Sequence, residues 1–173
     1  MSLNEFLIHK REAVLARDQR IAAGQAQPAQ LHANVRAEGR SGLRRLRIRD
    51  HQIISDSATG FAGFDLGPSS PELQLGVLGS CMVHIFEIQA ALLQVPLDTL
   101  DVDVWATMDP RAGNPGYEKL PRGLQGIRYA VRVGSTATDA QLQALHDVVE
   151  QNCPILSLLR NPQDVSGTLV RAG

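Results

Sequence analysis

PELQLGVLGSCMVHIFEIQAALLQVP, residues 71–96, is the apolar stretch around which the rest of the chain is organised. Pro71 loses nothing at a first helical position, because the N–H it lacks would have no partner there. Ser70 stands before it as an N-cap, and Pro96 cannot continue a helix. The spacing therefore predicts one helix, Glu72 to Val95, of about six turns. Leu73, Leu75, Val77, Leu78, Met82, Val83, Ile85, Phe86, Ile88, Leu92 and Leu93 go round its cylinder, which is the pattern of a core helix packed on most sides. Its length would also span a membrane, but Gln74, His84, Glu87 and Gln89 interrupt the run and no basic loop flanks it. Gly76 and Gly79 each cost about 1 kcal/mol relative to alanine, so another backbone is expected close to that face.

With 173 residues the chain is expected to form one domain, with an N-terminal helix and linker over 1–30 and the principal unit over 31–173. The formal net charge of −1 points to neither nucleic acid nor an acidic surface as partner. Aromatic residues make up only 4%, so the core must be aliphatic. The first twenty residues carry charge from Glu5 onward and contain no apolar signal region, from which a cytoplasmic protein is expected.

Ser2 and Glu5 have capping-box spacing, and Leu3, Phe6, Leu7, Val14 and Ile21 recur at helical intervals up to Gly24. An amphipathic helix therefore opens the chain. From Leu31 the period is two: Leu31, Ala33, Val35 and Ala37 alternate with polar residues, predicting a half-buried strand. Turn residues 39–42 and a second alternation over Leu43 to Arg49 make this a hairpin, and Gln52 to Ser55 a third strand. Arg45, Arg47 and Arg49 share a solvated face, whereas Arg44 falls on the side of Leu46 and Ile48 and points inward.

Leu100 to Trp105 and Ile127 to Val133 alternate as a second strand pair, separated by a glycine- and proline-rich loop long enough to act as a lid. Thr138 and Gln141 repeat the capping-box spacing before a helix buried along Leu142, Leu145, Val148 and Val149. That helix ends at Asn152-Cys153-Pro154. A short helical piece, Ile155 to Leu159, and a final strand, Val165 to Val170, close the chain.

The chemistry rests on the only two cysteines, Cys81 and Cys153. They could be buried hydrophobes, a redox pair, or, with His84, three ligands of a zinc site, although neither CxxC nor HExxH occurs. His84 could also pair with Cys81 as a base, or serve as a core or interface histidine. Cys81 lies too deep in its helix for the N-terminal dipole to lower its pKa, so a reactive thiolate there needs a nearby cation. Arg44, or Arg40 in its glycine turn, could be that cation if the hairpin packs over the helix.

The segments DLGPSSPELQLGVLGSC (65–81), LDTLDVDV (97–104) and LHDVVEQNCPILSLL (145–159) together resemble the OsmC/Ohr family of osmotically inducible and organic hydroperoxide resistance proteins. The likeness covers roughly residues 31 to 170 and leaves the first helix as an addition. It implies an α+β fold with antiparallel sheets around a long central helix, in an intertwined homodimer with a cysteine site at the subunit interface. By the same resemblance Cys81 matches the peroxidatic cysteine and Cys153 the resolving one. Arg40 matches the family's hairpin arginine, with Arg44 as the competing position, and Glu72 matches its helix-start glutamate.

The implied activity is thiol-dependent reduction of organic hydroperoxides, through a Cys81 sulfenic acid and a Cys81–Cys153 disulfide. A dithiol, such as a lipoylated protein, is the implied reductant. No metal, cofactor, nucleic acid or membrane is expected to take part. Leu78, Met82 and Phe86 are expected to give the site an apolar entrance. The other function class compatible with these residues is an OsmC-fold small-molecule-binding or redox-responsive dimer that does not turn over peroxide.

Overall fold

The computed structural model describes residues 1–39 and 41–171. The first helix, α1 (Leu3–Ala22), begins in the expected capping box: Glu5 N–H donates to Ser2 Oγ, and the Ser2 N–H to Glu5 Oε2. Its buried face is Leu7 and Val14. Then come β1 (Asn34–Ala37), β2 (Arg44–Ile48) and β3 (His51–Ser55), which form one antiparallel sheet in the order β1-β2-β3. Asn34 pairs with Arg47, and Arg44 with Ser55, so the hairpin read from the alternation is present.

The long helix is α2 (Ser70–Leu93). It starts two residues before the expected Glu72, because Ser69 and not Ser70 is the N-cap. Glu72 reaches back to the Ser69 N–H and hydroxyl, both at 2.7 Å. The helix ends when Gln94 turns left-handed ahead of Pro96. By length and composition α2 could cross a membrane, but here α1, β4 (Thr99–Thr107), α3 (Asp139–Asn152) and α4 (Pro154–Arg160) pack against it. The strand β4 pairs antiparallel with β5 (Gln125–Gly134), and Leu100, Val102, Val104, Tyr129, Val131 and Val133 face the core. Arg132 bridges Asp101 and Asp103 on the other face.

The core is largely aliphatic, as the composition requires: Leu78, Met82, Leu97, Leu145 and Val149 are fully buried, Phe86 is buried among them, and Tyr129 packs against them half-buried. Gly79 is buried against β4, but a methyl group there would lie 3.4 Å from a Val104 methyl and 3.7 Å from the Val102 carbonyl oxygen, ordinary contact distances, so the approach is less tight than anticipated from sequence. Gly76 faces nothing within 4 Å. It belongs to an exposed stripe, Glu72, Gly76, Ser80 and His84, so α2 is not covered on every side.

Three expectations are corrected. The strand at Val35 is exposed along its whole length, because the three-stranded sheet lies outside the core cluster, which includes no described residue between 31 and 69. Val165 to Val170 form no strand. With no neighbouring strand to share a ladder, Val165, Leu169 and Val170 stay exposed. The central helix is uncovered along the stripe just described.

Candidate active site

Cys81 sits midway along α2, half-buried. Cys153 is placed by chain punctuation at the other side of the core. Pro154 pushes the residue before it out of helical geometry, and Cys153 accordingly has φ −76° and ψ 109°. It thus caps α3 and starts α4 at once, a corner whose sulfur turns inward and accepts the Leu156 N–H at 3.5 Å. The Leu145 and Val149 stripe lays α3 on α2 and carries this corner to Cys81. The two sulfurs are 3.5 Å apart, in contact and unbonded. A disulfide needs about 2.05 Å, so closing it takes a movement of roughly 1.5 Å.

The two thiols differ in access. Cys153 is 1% exposed. Cys81 opens into a cleft of about 420 Å³ lined by Leu73, Gly76, Val77, Ser80, His84 and Ile155. Its apolar walls are therefore Leu73, Val77 and Ile155. Leu78, Met82 and Phe86, expected at the entrance, lie on the opposite, fully packed side of α2. No described residue of the loop between β4 and β5 lines the cleft.

Burial pushes the Cys81 thiol above its ordinary value; the Ile155 backbone N–H works against this, and the neighbouring Cys153 adds to it. Two thiols in contact cannot readily ionise together. Among the described residues no lysine or arginine lines the cleft. Arg40 lies outside the described residues. Arg44 does point inward within its own sheet, where its guanidinium donates to the carbonyls of Gly42 and Asp56 and to the Ser55 and Ser57 hydroxyls. Its buried Nε has no hydrogen-bond partner among the described residues. Glu72 closes the α2 capping box and lines the adjacent cleft over β4 rather than that of Cys81. The Ser69 hydroxyl and N–H hold its pKa below the usual range. Among the described residues no group of three or more His, Cys, Asp or Glu side chains converges as a metal site.

Two groups near the sulfurs escaped the sequence reading. The Tyr129 hydroxyl donates to Glu150, and Arg160 holds the same carboxylate at 3.0 Å. This clamp ties β5, α3 and α4 around the Cys153 corner, and burial followed by the Glu150 bond pushes Tyr129 up to about 12. The second group is Lys10 of α1, whose Nζ lies 3.4 Å from His84 Nδ1 and 3.6 Å from Glu87 Oε2. The periodicity of residues 3–22 does carry a signal for it: Lys10 falls between Leu7 and Val14 on the buried stripe of α1, where a lysine is out of place unless it meets polar partners.

The fold and these sulfurs define an α+β protein with antiparallel sheets, carrying a dithiol between its central helix and a later helix corner. The sequence profile of the OsmC-like proteins matches residues 63–167, more than half of the chain. The chain belongs to the OsmC-like family. An OsmC-like protein from Mycoplasma pneumoniae superposes with a TM-score of 0.65 at 16% identity, covering 78% of this chain and 89% of that one. An organic hydroperoxide resistance protein from Legionella pneumophila gives 0.56 at 12% identity, covering 78% and 92%. A putative organic hydroperoxide resistance protein from Vibrio cholerae, solved with captopril in one active site, gives 0.56 at 18% identity, covering 78% and 87%. At these identities the likenesses establish the fold. No match to a curated protein sequence was found.

Proposed function

We propose that this protein is a cytoplasmic, homodimeric thiol peroxidase that reduces organic hydroperoxides in a redox-stress response. One observation carries the reading: two sulfurs 3.5 Å apart, of which only Cys81 opens into a cleft. Cys81 is then the attacking sulfur and Cys153 the resolving one. The Cys81 thiolate attacks the terminal peroxide oxygen, the O–O bond breaks, an alcohol leaves after protonation, and the sulfur becomes a sulfenic acid. Cys153 attacks that sulfur, water leaves, and the disulfide is returned to two thiols by an external dithiol, for which a lipoylated protein is suited.

Arg40 supplies the positive charge that the Cys81 thiolate needs in this reading. Glu72 spends only Oε2 on Ser69, so Oε1 is the oxygen that would steady the guanidinium. The walls of Leu73, Val77 and Ile155 favour alkyl hydroperoxides over hydrogen peroxide.

Single-turnover peroxide consumption by full-length variants tests the roles. Cys153→Ser is expected to consume about one equivalent and stop at the sulfenic acid, and Cys81→Ser none. No consumption by the wild type with lipoyl dithiols, or equal consumption by both variants, would replace this reading with that of a binding or redox-responsive protein.

A further inference from the structure

The leaving alkoxide of an alkyl hydroperoxide needs a proton, and the Cys81 cleft contains two side chains besides cysteine with polar hydrogens, Ser80 and His84. His84 lies one helical turn after Cys81, so their β-carbons are about 5–6 Å apart. At 57% exposure its side chain is not a core histidine. Its Nδ1 faces the Lys10 ammonium at 3.4 Å. An ammonium can only donate, so Nδ1 accepts and the ring hydrogen sits on Nε2. Glu87 stands 3.9 Å from Nδ1, beyond hydrogen-bond reach, and 3.6 Å from Lys10 Nζ, where it stabilises the ammonium. Phe6 adds its ring face, 5.2 Å from the same nitrogen. Lys10 is therefore held on three sides, and its side chain is only 17% exposed. Among the described residues no side chain hydrogen-bonds to the Ser80 hydroxyl.

Resting on the peroxidase reading above, we propose that His84 is a catalytic residue and Lys10 its proton source, making α1 part of the active site. When the Cys81 thiolate takes the terminal oxygen, the O–O electron pair leaves on the alkoxide. The alkoxide takes the Nε2 proton of His84, and Nδ1 takes a proton from Lys10 Nζ. Sulfur loses two electrons, the peroxide gains them, the imidazole stays neutral in its other tautomer, and the lysine is left as an amine that solvent reprotonates. The transfer runs downhill, since an alkoxide is far more basic than a lysine amine, whose ordinary pKa is about 10.4. α1 precedes the matched family region, so this relay belongs to an element outside residues 63–167.

The test compares two oxidants on the full chain. An alkyl hydroperoxide needs a protonated leaving group, whereas a peroxycarboxylic acid expels a stable carboxylate and does not. Stopped-flow rates of Cys81 sulfenic acid formation are measured with tert-butyl hydroperoxide and with peracetic acid. The ratio of the first rate to the second is expected to fall about 100-fold in His84→Phe, Lys10→Met and Lys10→Arg, the usual scale of general acid catalysis. Arginine keeps the charge but cannot give up a proton, so a wild-type ratio in Lys10→Arg would overturn the relay. An unchanged ratio in His84→Phe, or equal loss with both oxidants, would overturn it as well. Wild-type protein that reacts with neither oxidant would sink the peroxidase reading together with the relay; intact wild-type rates with indifferent variants would sink the relay alone.

Discussion

Cys81 and Cys153 show how different the local determinants of two reacting residues can be. The position of Cys153 follows from its neighbour: a proline after it forbids helix at that residue, and the chain must turn there. The chemistry of Cys81 depends on groups distant in sequence. Burial pushes its thiol above the ordinary range, and the Ile155 N–H works against that. If Arg40 is the missing cation, Arg40→Ala is expected to shift the midpoint of Cys81 alkylation upward, beyond the ordinary thiol value of about 8.5. In that variant the folded state holds the Cys81 proton more tightly than the unfolded chain does. Below about pH 8.5 both states are protonated and the contribution is complete; as pH rises through the folded pKa the unfolded chain deprotonates first and stability is lost. Urea midpoints across this range should fall in Arg40→Ala and stay flatter when Cys81→Ser is added. An unmoved alkylation profile would take the role from Arg40.

Among the elements, α1 is the one whose packing most exceeds what its sequence advertised. Its capping box and periodicity were legible, but whether a terminal amphipathic helix docks on its own chain depends on finding a complementary surface. It finds one on α2 through Leu7, and Asn4 fastens it by accepting the Leu97 N–H and donating to Asp98, both at 2.8 Å. Leu7→Ala is expected to cost about 2–5 kcal/mol in urea unfolding, as buried leucine truncations do. A loss under about 1 kcal/mol would mean that α1 is loosely attached. The strands show the opposite limit. Alternation read the β1 and β2 hairpin and the β4 and β5 pair correctly, because period two is a local property. It misjudged the burial of β1 and produced a strand at Val165 to Val170, because what a strand packs against is not local.

For the whole molecule, the uncovered surfaces converge on one expectation. The β1–β3 sheet lies outside the core, Phe61, Phe64 and Leu66 project from the following loop, and the Gly76 stripe of α2 lies bare. Sedimentation at micromolar concentration is expected to show the homodimer of the proposed function, with Gly76 at the contact between copies. In an isolated chain Gly76→Ala would gain about 1 kcal/mol of helix propensity. In the dimer it should weaken association, since a methyl group would separate close-packed backbones. A monomeric wild type, or a variant that is more stable and equally dimeric, would remove Gly76 from the interface.

By itself the sequence determined the long helix between its prolines, the capping boxes at Ser2 and Thr138, the two hairpin-like pairs and the corner at Cys153. Each is set by residues within a few positions of one another, through hydrogen-bond arithmetic, proline geometry and periodicity. Only the tertiary structure decided that Cys81 and Cys153 stand 3.5 Å apart, that Cys81 alone opens into the cleft, and that Lys10 reaches His84. It also showed that Arg44 is bonded within its own sheet and that Glu72 gives one carboxylate oxygen to the Ser69 cap. Those are relations between surfaces far apart in the chain, settled by which apolar faces bury each other and by which polar groups that burial leaves in reach.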